Sequence, residues 1–175
     1  MKKNKKRDYI KIGILGGTFD PPHKGHLYIS KISLKKLRLK KILWIITKKN
    51  PLKNKPYLKL KERIKLSKNV TRKHKKISIK YFDEKVRSTS TFNLLNYIKG
   101  KTKADLFFLM GSDNLKKFHQ WKNWKKIAKL AKIVIFPRKN HSRNSIATNI
   151  LNKNDLIYIN SNKINISSSL IRKFW

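Results

Sequence analysis

Short apolar runs alternate along the chain with longer stretches in which apolar residues recur at helical spacing. Ile10–Leu15, Lys41–Thr47, Ile77–Phe82, Asp105–Gly111, Ile133–Phe136 and Leu156–Ile159 are short and rich in β-branched or aromatic residues, which predicts strands. His26–Leu39 places Leu27, Ile29, Ile32, Leu34 and Leu37 near the period of an amphipathic helix. Tyr57–Val70, Thr91–Ile98 and Trp124–Leu130 read the same way, and a short last helix is expected from Ser167 onward behind a hydroxyl N-cap. Asn50–Lys59 and Arg138–Asn154 read as loops, and residues 1–8 as a frayed basic tail. Strand–helix alternation predicts an α/β domain over residues 9–175, a parallel sheet with helices on both faces. Sheets of that kind bind ligands beyond the carboxyl ends of their strands, where the strand order reverses.

Composition narrows the picture. The chain has 175 residues, 39% of them hydrophobic, enough for a buried core and too apolar for a disordered basic tail. It has no cysteine, which excludes disulfide scaffolds, thiolate metal sites and cysteine nucleophiles. No apolar run approaches the roughly 20 residues of a membrane helix, and the basic start leads into a run too short and too interrupted for a secretory signal. The expectation is a soluble, cytoplasmic protein without a membrane partner. No sequence feature assigns an oligomeric state.

With 46 basic against 8 acidic residues, the formal charge is +38. Such an excess fits a polyanionic partner. Yet 38 of the basic residues are Lys and 8 are Arg, spread over the whole length, whereas base readers favour the planar fork of Arg. A solvated lysine surface is therefore preferred to dedicated nucleic-acid binding, although its field still attracts small anionic substrates.

The segment richest in chemistry is Gly13–Leu27, GILGGTFDPPHKGHL, where the first strand passes into the first helix. Gly16 and Gly17 lack Cβ atoms, so the backbone there is expected to turn sharply and approach a phosphate closely. The helix start that follows offers unpaired N–H groups and a positive dipole end. Pro21 and Pro22 stiffen the loop and bring His23 and His26 to that helix start, suited to hydrogen-bonding or proton donation to phosphate oxygens. Zinc binding by the two histidines lacks an obvious third ligand. No Walker A lysine follows the glycines.

GGTFDPPHKGHL resembles the signature of nucleotidyltransferases that transfer adenylyl groups, and specifically of nicotinate mononucleotide adenylyltransferases. Phosphopantetheine adenylyltransferases and class I aminoacyl-tRNA synthetases are less similar. WIITKKNPLK at Trp44–Lys53 resembles the family's second strand and following loop, whose Asn50 and Lys53 would border the substrate. Thr91 matches a helix-opening motif from which Ser90 and Asn93 depart. FLMGSD at Phe108–Asp113, with Trp121 eight residues on, resembles the family's glycine-x-aspartate and tryptophan. ISSSLIR at Ile166–Arg172 resembles its last motif. The family pattern continues beyond this point, and Phe174 and Trp175 are expected to bury their rings in partial substitution.

The resemblance implies a Rossmann-like nucleotidyltransferase fold and adenylyl transfer from ATP to nicotinate mononucleotide, giving deamido-NAD and pyrophosphate. His23, His26 and Arg172 would be catalytic, with charged hydrogen bonds from the imidazoles to ATP phosphates. Gly16, Gly17, Thr18, Phe19, Asp113, Ser167, Ser168 and Ser169 would complete the ATP site. Thr18, Asn50, Lys53, Thr91 and Trp121 would bind the mononucleotide, with Trp121 stacked on the pyridine ring and the ring carboxylate near Thr91. Mg²⁺ would be carried by the ATP phosphates, with no metal ligands on the protein. The alternatives are phosphopantetheine or another adenylyl acceptor, or a degenerate fold that binds nucleic acid.

Overall fold

The structure is a computed structural model that describes residues 9–50, 52, 54–138, 141, 144–162 and 166–175. Its strands are β1 (Ile10–Gly17), β2 (Lys41–Ile46), β3 (Ile77–Lys80), β4 (Ala104–Gly111), β5 (Lys132–Phe136) and β6 (Leu156–Tyr158). They form one sheet in the order β3-β2-β1-β4-β5-β6 with every pairing parallel. In the central register, Ile14 lies opposite Leu43 on one side and Phe108 on the other. The order reverses between β1 and β4, which places the switch point there.

Helices α1 (Lys24–Lys36), α2 (Leu60–Thr71), α3 (Asp83–Val86), α4 (Thr91–Lys101), α5 (Ser112–Lys116), α6 (Trp124–Leu130), α7 (Ile146–Ile150) and α8 (Ser168–Arg172) connect and follow the strands. Successive strand residues point to opposite faces, so β4 divides its apolar run between two cores. Leu106, Phe108 and Met110 pack with Leu95, Leu115 and Ile127 from α4, α5 and α6. Phe107 and Leu109 join Trp44 and Ile29 in the core under α1, with Ile64 of α2 packed against it. Burying each large side chain contributes roughly 1.5–3 kcal/mol. This is why β1, β2 and β4 read as nearly continuous hydrophobic runs: both their faces are covered.

The strand expectations agree with the structure to within two residues at each end. Elsewhere it corrects the sequence reading. The first helix starts at Lys24 rather than His26, because His23 itself is the cap. The second starts at Leu60 rather than Tyr57, because the N–H groups of Tyr57 and Leu58 donate to the Asp20 carboxylate instead of entering a helix. The segment 138–154 is not all loop: Ser145 caps α7, its hydroxyl accepting from Thr148 N–H at 3.2 Å. Phe174 and Trp175 do not bury their rings; they are 83% and 62% exposed. Residues 1–8 lie outside the described residues, and so does Lys53. Among the described residues no helix is long and apolar enough to cross a membrane.

Candidate active site

β1 ends in the Gly-Gly pair, and the chain then turns at Phe19, not at the glycines. Phe19 has φ of 50°, a left-handed conformation that costs a non-glycine residue energy, while no glycine has positive φ. The sharp turn expected of Gly16 and Gly17 is thus corrected: both continue the strand. A Cβ at Gly16 would sit 3.6 Å from the Phe108 ring, an ordinary contact. Their bareness instead leaves open space on both sides, for each lines two adjoining cavities. The Phe19 ring is buried and stacks on Trp44 with centroids 5.0 Å apart.

His23 and His26 cap α1 reciprocally. His23 Nδ1 accepts from Gly25 N–H at 3.1 Å, and His26 Nδ1 accepts from His23 N–H at 3.2 Å. Each ring therefore carries its proton on Nε2. The His26 ring lies between His23, at a centroid distance of 3.8 Å, and Phe19, at 4.7 Å. Behind it, Trp44 Nε1 donates to Ser30 Oγ, which in turn donates to the His26 carbonyl. A Cβ at Gly25 would strike Ile166 and the His23 ring within 2.9 Å, so only glycine allows this packing. Burial, and secondarily the Arg138 charge, lower the His23 pKa to about 4. His23 is neutral at physiological pH and offers a neutral N–H, which corrects the charged hydrogen bond expected of it.

Around these rings opens a polar cavity of about 900 Å³. Thr18, Phe19, Asp113, Ser167, Ser168, Ser169 and Arg172 line it with both histidines, so the structure gathers the whole expected ATP set at one place. Its arginines and carboxylates are already paired in the ligand-free protein. Arg172 donates from Nη1 to the Asp20 carbonyl, pairs with the Asp20 carboxylate at 3.6 Å and lies 5.0 Å above the Tyr57 ring. Arg138 Nε pairs with Asp113 at 3.2 Å, and its Nη1 donates to the Ile166 carbonyl. The serines are engaged too. Ser167 caps α8 by accepting from Leu170 N–H, Ser168 donates to the Pro21 carbonyl, and Ser169 Oγ accepts from Arg172.

Beyond Gly16 and Gly17 lies a second cavity of about 400 Å³. Ile45, Leu94, Phe108 and Trp121 give it apolar walls, and Thr47, Asn50, Asp83 and the Ser88–Thr91 run add polar groups. Trp121 packs edge-on against Phe118 and Phe108, at 5.3 and 6.0 Å. Ser90 is the N-cap of α4 but makes no side-chain capping bond, so the first N–H groups of that helix have no side-chain cap. Asn50, Thr91 and Trp121, expected on the substrate side, line this cavity; Thr18 lines only the polar one.

Sequence reasoning missed Asp20, Arg63, Asp83 and Arg138. Their partners are distant in the chain, so no local pattern marks them. The available signal is scarcity. Three of the eight arginines (Arg63, Arg138 and Arg172) sit at this site, whereas the described others, Arg38, Arg72 and Arg87, are exposed. Among the described residues no three His, Asp or Glu side chains converge as a metal site, and the two carboxylates at the polar cavity face arginines.

A glycine pair closing the first strand, imidazoles at the following helix start and a capped Ser-Arg helix across the cavity define a nucleotidyltransferase. Residues 14–174 match the family described as cytidylyltransferase-like. A protein of Pelagibacter ubique (strain HTCC1062), described as a probable nicotinate-nucleotide adenylyltransferase, is 49% identical over 93% of this chain and 92% of its own length. One of Ruegeria sp. (strain TM1040), with the same description, is 35% identical over 73% of this chain and 67% of its own. The chain belongs to the nicotinate-nucleotide adenylyltransferase family. Its fold is that of the Plasmodium falciparum nicotinic acid mononucleotide adenylyltransferase complexed with NaAD, at a TM-score of 0.77 and 22% identity, covering 94% of this chain and 83% of that one.

Proposed function

We propose that the protein transfers the adenylyl group of ATP to nicotinate mononucleotide, giving deamido-NAD and pyrophosphate. The observation that carries this reading is the pair of cavities meeting at Gly16 and Gly17, one lined by imidazoles, serines and arginines and the other walled by Ile45, Leu94, Phe108 and Trp121. The 5′-phosphate oxygen of the mononucleotide attacks the α-phosphorus of ATP in line. A new P–O bond forms, the bond to the β-phosphate breaks, and pyrophosphate leaves with its electron pair. The nucleophile is already an anion, so alignment and charge stabilisation do the chemistry.

His26 and His23 present their Nε2–H groups to the ATP phosphates as charge shifts toward the leaving group. Arg172 and the Ser167–Ser169 helix start hold the pyrophosphate end, and Arg172 must share its contact with Asp20 to do so. Mg²⁺ would be bound with ATP as part of the substrate, where it would neutralise phosphate charge. The matched carboxylates suit an ion that is held by phosphates and water. Trp121 stacks on the pyridine ring, and the ring carboxylate meets the uncapped N–H groups at the start of α4. On this reading the reaction belongs to the cytoplasm.

The test is pyrophosphate release from ATP with nicotinate mononucleotide, nicotinamide mononucleotide and phosphopantetheine as acceptors. A hydrogen bond to a charged group contributes about 1.5–3 kcal/mol, so kcat/KM should favour nicotinate over nicotinamide by roughly 10- to 150-fold. Equal values would remove the α4 carboxylate site while leaving adenylyl transfer. Turnover with phosphopantetheine alone would overturn the acceptor.

A further inference from the structure

Arg63 points inward from α2 and is only 2% exposed. Its guanidinium donates to four main-chain carbonyls: Nη1 to Thr18 at 2.6 Å and to Thr47 at 2.8 Å, Nη2 to Lys48 at 3.1 Å, and Nε to Leu58 at 3.1 Å. These carbonyls belong to three separate segments, which follow β1, follow β2 and precede α2. Thr18 lines the polar cavity and Thr47 the apolar one. Further along the second segment, Asn50 lines both. Asp20 and Asp83 act on the buried cation through space. A buried cation is costly, and an apolar side chain of similar volume commonly stabilises as well or better. The arginine therefore calls for a reason other than packing.

We infer that Arg63 is a positioning residue that sets the register between the ATP side and the mononucleotide side of the site, fastening three loops to one planar group. This rests on the adenylyl-transfer reading. In-line transfer needs the attacking oxygen and the α-phosphorus roughly 3–3.5 Å apart, and neither cavity alone determines that separation. The fork of an arginine satisfies carbonyls in fixed directions, whereas a lysine donates three bonds from a single point. Arg63 touches no reacting atom and acts through the backbone it holds.

The test compares wild type with Arg63→Lys and Arg63→Gln by steady-state kinetics and by amide hydrogen exchange of the ligand-free protein. In folded Arg63→Lys, kcat falls on the order of 10²-fold while each KM moves by less than about threefold, the signature of misalignment. Exchange quickens at 18–20, 47–50 and 57–58 together, with β1 and β2 still protected. Arg63→Gln shows the same pattern, at least as strongly. A folded lysine variant with unchanged kcat, or a defect confined to one KM, overturns the inference. Failure of the lysine variant to fold does so too, since it assigns Arg63 to core stability. A wild type that releases no pyrophosphate overturns the adenylyl-transfer reading alone; the exchange measurement still decides whether Arg63 fastens the three loops.

Discussion

The two cavities that share Gly16 and Gly17 are held in shape by different forces. In the polar one, the shape is set by directional bonds: reciprocal imidazole caps, an Arg172–Asp20 pair, an Arg138–Asp113 pair and serine hydroxyls bonded to backbone and side-chain partners. In the apolar one, rings and aliphatic walls set the shape, with Trp121 resting on Phe108 and Phe118. On the proposed function, the difference follows from what each side would recognise. A triphosphate gains charge on its leaving group, and donors fixed beforehand stabilise that charge without reorganising. A pyridine ring offers area and a face, which a concave apolar wall recognises by fit. Disturbing the first cavity should therefore appear in kcat, and disturbing the second in the KM of one substrate.

The sharpest way to break this comparison is His26→Ala. Removing one donor aimed at developing charge should lower kcat about 10²–10³-fold, with KM for the mononucleotide little changed. The same change removes the acceptor for His23 N–H, a capping loss of about 1 kcal/mol that leaves the fold standing. Initial rates of pyrophosphate release, read beside a thermal melt, separate the two effects. Near-normal kcat in a folded variant would mean that the polar cavity binds without catalysing.

A smaller effect sharpens the polar side. His23 titrates at about 4 in the fold, against 6.5 for a free imidazole. As pH falls through that interval the unfolded chain takes up a proton that the folded chain refuses, so stability falls. The loss reaches about 3 kcal/mol at the folded pKa and is complete below it. Denaturant melts from pH 7 to 4 should show it as a difference between wild type and His23→Asn, which keeps a capping side chain but has no proton to refuse. Parallel pH curves for the two would show that the imidazole is solvated and the cavity less closed than its bonds imply.

How far each region was legible in sequence follows the same division. The stretch from Gly16 to His26 is compact in sequence, so its order of glycines, prolines and imidazoles pointed to the place beside a helix start where the structure opens a polar cavity. Even there the physics was partly hidden. The turn belongs to Phe19, whose positive φ is sustained by its stacking on Trp44, and no local rule assigns that conformation to a phenylalanine. Trp121, which lines both cavities, was singled out only through the family resemblance of the segment that holds Asp113. Asp20 and Arg138 were not legible, because their partners lie 25 or more residues away, and neither was Arg63, whose bonds to Thr18, Thr47, Lys48 and Leu58 join segments that no local pattern connects. The exposed Phe174 and Trp175 mark the opposite error: large rings suggested burial, but nothing in the described structure covers them.

The mildest prediction concerns the apolar cavity itself. Trp121 is half-buried, so Trp121→Ala removes one face of the ring site and some edge-on packing with Phe118 and Phe108. Stacking of a base on an aromatic side chain contributes about 1–3 kcal/mol, which corresponds to a rise in mononucleotide KM of roughly 5- to 150-fold. The alignment of phosphates depends on the opposite cavity, so kcat at saturation should stay within about threefold of wild type, as expected when binding is lost equally from ground and transition states. Because Trp121 lines both cavities, the KM for ATP is the control: it should move less than that for the mononucleotide. Trp121→Phe, which restores a flat face, should recover most of the affinity. A fall in kcat equal to the rise in KM would show that ring and phosphates are read together, and the division between the two cavities would then fail.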